Sequence, residues 1–169
     1  MKVVKDAMVL IHLAKITLLE KSCDYFKTVM IPFLVVEEAV TEGKRLGYDD
    51  ALLIERIIVG KKIIVKTVSD MKLLELAYQF NIGGGEAEAF ALYKQEKADV
   101  LISDDYNLRK RKDSMNVAVI GSLAVLLKLR KDKKIDQNKF RSSINTMREI
   151  GWFSNAILDK VLMEGENNV

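Results

Sequence analysis

The sequence predicts an α/β fold in which a mostly parallel sheet is flanked by helices. Short β-branched segments such as "KVVK", residues 2–5, alternate along the chain with longer amphipathic segments typical of helices. Strands that alternate with helices form parallel sheets, because each helix carries the chain back across the sheet. No Pro-rich or Ser-rich linker divides the 169 residues. We therefore expect one domain, residues 1–169, with a helical C-terminal extension at about 135–169.

The first half of the chain supplies three predicted strands and the helices between them. Asp6 follows the first strand and begins an apolar helical stretch that runs through Leu19. Pro32 suits the first turn of a second helix, which Gly47 ends. A further helix is predicted at 49–60, with a start cap and apolar spacing. The three predicted strands are residues 2–5, 28–31 and 62–68.

The second half continues the alternation and then becomes helical. Ser69 and Asp70 can cap a helix that reaches Phe80, and three glycines separate it from the next helix, "EAEAFALYKQEKA". The fourth and fifth predicted strands are "DVLIS" and "NVAVIG", with the short helix "DDYNLRKRK" between them. The remaining predicted helices are 122–135, 136–151 and 154–166.

Composition excludes several classes of function. Apolar residues make up 49% and charged residues 30%, which is typical of a soluble globular protein, and we expect a cytoplasmic one without a membrane span or signal peptide. The single cysteine, Cys23, cannot form an internal disulfide. The single histidine, His12, lies in an apolar stretch where we expect a partly buried helical position. Carboxylates are therefore the expected catalytic groups, and oxygen ligands suit magnesium or manganese.

Positive charge is concentrated in one segment. Residues 109–134 contain nine basic and two acidic residues, a net charge of +7, which leaves −4 for the rest of the chain. Such a segment could hold a polyanion such as a nucleic acid. A solvated helix surface is the alternative explanation.

Acidic residues follow two of the predicted strands. Asp6 comes after the first strand, while Asp104 and Asp105 come after the fourth. Ligands of open α/β sheets bind outside the carboxyl ends of the strands, so these side chains should meet at one edge. Glu86 begins the helix that leads into the fourth strand. Each acid alone could be a cap or turn residue, but acids gathered together repel one another unless a divalent cation holds them.

Two glutamate pairs leave a choice open. Neighbouring helical residues point about 100° apart, so only one of Glu37 and Glu38 can face the site well. Glu86 and Glu88 are about 200° apart on the same basis. We expect one member of each pair to face inward and the other to face solvent.

Five segments together resemble a known family: "VVKDAMVLIHLAK", "IPFLVVEEAV", "GGGEAEAFAL", "LISDDYNLRK" and "VAVIGSLAVLLKL". In that order they are similar to the successive motifs of PIN-domain ribonucleases, the superfamily that includes VapC-type toxins of toxin–antitoxin systems. The closer similarity is to a largely prokaryotic branch marked by a GEAEA stretch. The resemblance implies a three-layer α/β/α fold with a five-stranded parallel sheet, a magnesium or manganese site, and cleavage of single-stranded RNA.

The resemblance also assigns roles to residues. Asp6 resembles the first acid, Glu38 the second and Glu86 the third, while the fourth is either Asp104 or Asp105. The implied metal ligands are Asp6, Glu86, Asp104 and Asp105, and the implied catalytic residues are Asp6, Glu38, Glu86 and Asp105. The expected RNA contacts are Ser103, Arg109, Lys110, Arg111 and Lys112, and Tyr106 could stack on a base.

The chain departs from the family pattern at two positions, Met8 and Glu86. Met8 stands where many members have a small polar residue, and Glu86 stands where aspartate is frequent. The resemblance implies RNA, a small antitoxin and a second copy of the chain as partners. A PIN-like module that binds RNA or protein without catalysis is the rival interpretation.

Overall fold

A computed structural model describes residues 1–167 and divides into two compact units. The first unit is Met1–Gly121, and the second begins at Ser122. All five strands of the described chain belong to the first unit. The second unit is helical throughout its regular elements. The residues predicted to form the functional site therefore lie in the first unit, with its sheet.

The five strands form one parallel sheet, which confirms the predicted fold class. Their order across the sheet is β3-β2-β1-β4-β5. Strands β2 and β3 are added in turn on one side of β1, and β4 and β5 are added in turn on the other side. The order therefore reverses between β1 and β4, which is where ligands bind in open α/β sheets. The strands are β1 Lys2–Lys5, β2 Thr28–Pro32, β3 Ile64–Lys66, β4 Val100–Ile102 and β5 Val119–Ile120.

The helices of the first unit mostly follow the predicted segments. They are α1 Ala7–Lys15, α2 Leu19–Phe26, α3 Phe33–Val36, a π-helical segment Glu37–Glu42, α4 Gly43–Arg45, α5 Asp49–Val59, α6 Met71–Gln79, α7 Gly84–Gln95 and α8 Tyr106–Lys110.

Helix α2 was not predicted. The helical stretch expected to reach Leu19 ends at Lys15, because Thr17 takes a left-handed backbone conformation with φ of 57°. The chain then starts a second helix, in which Ser22, Cys23 and Phe26 are buried.

Several element boundaries differ from the predictions. Pro32 ends β2 and precedes α3, rather than occupying the first helical turn. The prediction that Gly47 ends this helical run is confirmed, because Leu46 caps α4 and Gly47 follows it with a left-handed φ of 79°. The third strand was predicted at 62–68 and the fifth at 116–121, but only Ile64–Lys66 and Val119–Ile120 are strands. Both are edge strands with one neighbour each, so their length is set by the few residues that face that neighbour.

Helices cover both faces of the sheet within the first unit, which completes a three-layer α/β/α arrangement. On one face, Val4, Met30 and Leu101 join a buried cluster that includes Phe90 of α7 and Leu74 of α6. On the other face, Lys5 contacts α2. Burial of apolar side chains in both layers is the main source of stability, at about 25 cal/mol per Å² of apolar surface removed from water.

The second unit consists of three helices packed around their own core. They are α9 Ser122–Lys131, α10 Gln137–Ile150 and α11 Asn155–Asn167. Phe140, Ile144, Met147 and Leu158 are fully buried. Gly165 leaves room for the Phe140 ring, which occupies the space where a Cβ would lie. Across residues 1–167, we find no helix with both the length and the apolar character needed to cross a membrane.

A lysine is fully buried at the end of the central strand. Lys5 has no exposed surface, and its Nζ donates to Ser22 Oγ at 2.6 Å and lies 3.9 Å from Cys23 Sγ. The ammonium also lies 5.7 Å from the centre of the Phe26 ring. Burial lowers the pKa of Lys5 to about 8, and the nearby Cys23 thiol only partly opposes that shift. The charged form of this side chain is therefore unfavourable in the folded state.

We expect Lys5→Met to stabilise the protein at pH 7. The unfolded chain holds the proton of this lysine more tightly than the folded chain, with a pKa of 10.5 against about 8. The folded wild type therefore carries an unfavourable term of up to about 3 kcal/mol below pH 8, which disappears as the pH rises toward 10.5.

Urea unfolding at pH 7 and pH 10 tests this expectation. The difference in free energy of unfolding between Lys5→Met and the wild type should be largest at pH 7 and shrink at pH 10. Lys72→Met, at an exposed position of α6, is the control and should show the same difference at both pH values. A Lys5→Met difference that does not change with pH would contradict the prediction.

Candidate active site at the carboxyl edge of the sheet

Asp6 lies buried in the site, directly after the central strand β1. Its side chain caps α1, because Oδ1 accepts a hydrogen bond from Val9 N at 2.8 Å. The second oxygen, Oδ2, is buried and has no hydrogen bond of ordinary geometry. Burial is the main cause that raises the pKa of Asp6 to about 7, and the carboxylates of Asp104 and Glu86 add to it. The Ser103 hydroxyl and the Val9 amide act in the opposite direction.

Asp105 repeats this arrangement at the end of β4. Its Oδ1 accepts from Leu108 N at 2.7 Å and so caps α8. Asp6 and Asp105 are therefore cap residues and members of the acidic cluster at once, because each cap uses only one carboxylate oxygen.

Asp104 takes a different partner, the only histidine of the chain. Oδ2 of Asp104 lies 2.7 Å from Nδ1 of His12, and both residues are buried. A carboxylate accepts hydrogen bonds, so the imidazole is the donor. His12 was expected to be a partly buried helical residue, but it is 1% exposed and fixes the direction of Asp104. Nothing in the sequence pattern predicts this role, because the two residues are 92 positions apart in the chain.

Gly121 closes the space on the other side of Asp104. A Cβ at position 121 would lie 2.6 Å from Asp104 Oδ1, so a larger residue would displace the carboxylate.

Ser103 is almost completely buried between the strand-end acids. Its Oγ accepts from Asp105 N at 3.1 Å, and the hydroxyl lies near enough to the Asp6 carboxyl to lower its pKa. A contact with RNA was predicted for Ser103. Its position favours a role in orienting Asp6 and Asp105 instead.

Two helices hold each other through their glutamates. Glu38, in the π-helical segment, accepts from Gly85 N at the start of α7 at 2.9 Å. In return, Glu88 of α7 accepts from Leu34 N at the start of α3 at 3.1 Å. Each helix thus receives the cap that its own sequence lacks, because Gly83 and Pro32 precede them without a side-chain cap.

These two hydrogen bonds show which member of each glutamate pair faces the site. Glu38 turns toward the site, whereas Glu37 accepts from Thr41 Oγ1 at 3.3 Å on its own helix. Glu86 belongs to the acidic cluster, but Glu88 does not face solvent as expected, because it caps α3. The π-helical geometry of Glu37–Glu42 also changes the helical register. π-helical turns often mark functional sites.

The glycines before Glu86 make room for the Glu38 carboxylate. A Cβ at Gly85 would overlap the Glu38 carboxylate, and one at Gly84 would lie 3.2 Å from its Oε1. Gly84 also has a φ of 56°, a left-handed conformation that glycine adopts without strain. By contrast, a Cβ at Gly83 would meet nothing within 4 Å.

Glu86 links this half of the site to the strand-end acids. Burial raises the pKa of Glu86, and the carboxylates of Glu38 and Asp105 raise it further. The electrostatic contacts connect Asp6 with Asp104 and Glu86, and Glu86 with Glu38 and Asp105. All five predicted acids therefore belong to one network at the carboxyl edge of the sheet.

The ligand atoms of the network are of the kind that binds a hard divalent cation, but the side chains are not arranged around a common point. Within residues 1–167, no three histidine, cysteine, aspartate or glutamate side chains are already spaced to hold an ion. The donors available are carboxylate oxygens, which suit magnesium or manganese. The buried Asp6 Oδ2 makes no hydrogen bond of ordinary geometry, and neighbouring carboxylates raise the pKa of its group. A cation would relieve both conditions.

Basic residues follow the acids on α8 and just beyond it. Arg109, Lys110 and Lys112 are exposed, and Arg111 is half-buried. Tyr106 is 70% exposed at the start of α8, and Lys110 Nζ lies 5.8 Å from its ring centre. These side chains are available to a polyanionic ligand beside the acidic network. The other basic residues of the segment, from Lys128 to Lys134, belong to the second unit.

We expect Gly85→Ala to destabilise the protein through Glu38. Overlap with the Glu38 carboxylate must move that side chain and break its bond to the α7 amide, at a cost of about 1 to 3 kcal/mol. In a Glu38→Ala background the overlap is absent, so the same change should be neutral or stabilising, since alanine favours helix.

A double-mutant cycle of urea unfolding measures this coupling. Gly83→Ala is the matched control, because its Cβ has open space, and it should give the same change in both backgrounds. Equal effects of Gly85→Ala in the two backgrounds would show that Glu38 is not the neighbour that matters.

Comparison with known proteins agrees with the fold and with the acids at the edge of the sheet. A family model described as DUF3368, PIN domain, matches residues 2–166. Neither the curated proteins nor the solved structures give a significant match to this chain. The fold of PIN domains is of the nuclease type, and the family match agrees with the parallel sheet and the acids at its edge. The chain therefore belongs to the PIN-domain family.

Proposed function

We propose that this protein is a magnesium- or manganese-dependent endoribonuclease that hydrolyses phosphodiester bonds of single-stranded RNA. The observation that carries the proposal is the buried Asp6 Oδ2, which makes no hydrogen bond of ordinary geometry, while the carboxylates of Asp104 and Glu86 raise the pKa of its group. Leaving a buried carboxylate oxygen in this condition is costly, and such groups concentrate at functional sites. The PIN-domain family supports hydrolysis of nucleic acid as the general reaction.

The residues that would hold the cation are Asp6, Glu86, Asp104 and Asp105. Asp6 and Asp105 each use Oδ1 for a helix cap, which leaves Oδ2 for the ion. His12 orients Asp104, and Ser103 orients the amide of Asp105. A bound cation would supply the ability to lower the pKa of a water molecule and to neutralise charge on the scissile phosphate.

Other residues of the chain would position the water molecule and bind the RNA. Glu38 is held by the Gly85 amide on the edge of the network, so it can orient a water molecule through its second oxygen. The exposed Arg109, Lys110 and Lys112 would hold the RNA backbone, because guanidinium and ammonium groups bind phosphates. Tyr106, on the same short helix, presents an exposed ring on which a base can stack.

We expect Asp6→Asn to abolish metal-dependent cleavage while stabilising the metal-free protein. The asparagine oxygen can still accept from Val9 N, so the cap on α1 remains. The pKa of Asp6 is raised from 3.8 to about 7, so the folded state loses stability as the pH rises between these values. At pH 8 the substitution should therefore recover up to about 4 kcal/mol.

Manganese titration calorimetry, thermal unfolding and cleavage of single-stranded RNA together test this. The wild type should bind manganese saturably, gain melting temperature with it, and cleave only in its presence. Asp6→Asn should lose all three responses yet melt higher without metal at pH 8. Asp136→Asn is the matched control, because Asp136 caps α10 through Oδ1 at 2.7 Å outside the acidic network.

Two outcomes would decide against the proposal. Full cleavage by purified Asp6→Asn would show that the acidic network is not the catalytic site. A wild type that binds RNA equally well with a chelator present, and never cleaves it, would favour the non-catalytic RNA-binding module.

We also propose that this enzyme is the toxin of a toxin–antitoxin pair, acting as a homodimer and inhibited by a small antitoxin. The resemblance to VapC-type toxins supports this role, and so do exposed apolar side chains on two helices. Leu52 and Val59 of α5 and Met71 and Tyr78 of α6 are 54%, 75%, 62% and 57% exposed, respectively.

Expression of the wild type in a bacterial host should then arrest growth, and expression of Asp6→Asn to the same level should not. Growth arrest that persists with Asp6→Asn would come from something other than RNA cleavage at this site.

A further inference from the structure

A cavity opens beside the acidic network, with which it shares Glu38. It has a volume of about 420 Å³ and lies between α1, the π-helical segment and the start of α5. Glu38 is part of its wall, so the cavity and the acidic network share a side chain. The other lining residues that matter here are Ile11, Lys15, Ala39, Leu46, Tyr48 and Asp50.

We propose that this cavity binds one unpaired nucleobase of the substrate, next to the phosphate that is cleaved, and selects guanine. The inference rests on the proposed ribonuclease function and assigns that site a base preference. The shared Glu38 supports the adjacency, because a phosphate at the acids places the neighbouring base within reach of the cavity wall.

The shape and the walls of the cavity fit a planar aromatic ligand. Pockets for small ligands span about 300 to 1,000 Å³, and this cavity is at the small end of that range. Ile11, Ala39 and Leu46 supply an apolar lining, and Tyr48 supplies an aromatic ring. Tyr48 is 53% exposed, so its ring can meet a ligand without rearrangement of the core. Stacking on aromatic side chains is the usual way in which proteins bind unpaired bases.

The polar groups of the cavity favour a base that donates hydrogen bonds. Lys15 Nζ lies 2.9 Å from Asp50 Oδ1 and 5.6 Å from the centre of the Tyr48 ring, which fixes all three side chains. That bond leaves Oδ2 and one further lone pair of Oδ1 of Asp50 to accept from a ligand. Guanine presents two adjacent donors, which one carboxylate can accept together, whereas uracil would place carbonyl oxygens against it.

The local helix geometry keeps the cavity open. Ala39 and Gly43 are small, and both line the cavity. Gly43 packs so closely on α5 that a Cβ there would lie 2.7 Å from Ala51 Cβ. This contact holds Tyr48 and Asp50, which lie at the start of α5, beside the π-helical segment. The segment that turns Glu38 toward the acids thus also forms the wall of the base pocket.

Four short single-stranded RNAs that differ only in the nucleotide beside the cleaved bond test the base preference. The wild type should cleave the guanine substrate roughly 10-fold better in kcat/KM than the uracil substrate, and an abasic residue at that position should reduce cleavage to the uracil level. Cleavage that does not depend on the base, together with equal rates for the abasic substrate, would overturn the proposal.

Two pairs of variants connect the preference to the cavity. Tyr48→Ala and Asp50→Asn should lose the guanine preference while the rate on the abasic substrate stays unchanged. Their controls are Tyr78→Ala, a tyrosine 57% exposed on α6, and Asp49→Asn, the exposed neighbour of Asp50. The controls should keep the wild-type preference, and loss of preference in a control would count against the cavity.

Binding separates failure of the pocket from failure of the nuclease. Fluorescence anisotropy of labelled tetranucleotides, in chelator, should show tighter binding of the guanine-containing oligonucleotide to the wild type than to Tyr48→Ala. If the wild type cleaves no RNA but shows this difference, the base pocket stands and the ribonuclease proposal falls. Equal binding of guanine and uracil oligonucleotides by wild type and Tyr48→Ala would reject the pocket whether or not RNA is cleaved.

Discussion

Hydrogen bonds from backbone amides at the starts of three helices hold the acidic network in place. Val9 N binds Asp6, Leu108 N binds Asp105, and Gly85 N binds Glu38. The free amides at a helix start carry partial positive charge, so they stabilise a carboxylate that its acidic neighbours repel. Each of these bonds uses one oxygen of the carboxylate. The same contacts that start the helices therefore also position the site.

Two ionisable side chains, Lys5 and Asp6, are buried at the end of the central strand β1. They are consecutive residues with 0% and 1% exposure. Burial lowers the pKa of Lys5 and raises that of Asp6, so it favours the neutral form of both. Alternation along a strand sends Lys5 to the layer of α2 and Asp6 to the carboxyl edge. The two groups therefore do not neutralise each other by a direct bond. Stability of this unit has to come from the apolar layers around them, where Val4, Phe90 and Leu101 are fully buried.

The sequence predicts the sheet well because its signals are local. β-branched segments and the acids that follow them were visible as patterns, and the structure brings Asp6, Glu86 and Asp105 to the expected edge. The details that depend on long-range partners were not visible. His12 meets Asp104 across 92 positions, and Glu88 caps a helix 54 positions earlier. Periodicity could not choose between Glu37 and Glu38, because it assumes α-helical turns where the chain forms a π-helical segment.

The contact between Glu38 and Gly85 joins positions that are 47 residues apart in the chain. An alanine at position 85 would require the Glu38 carboxylate to move, so a substitution at 85 changes the placement of a side chain in the acidic network. Change of a glycine codon to an alanine codon needs one nucleotide. A single point mutation outside the acids could therefore disarm the site while leaving every acidic residue in the sequence. In related chains, an intact set of acids would then be an incomplete guide to activity, and the residue two places after the helix cap would have to be read together with the second acid.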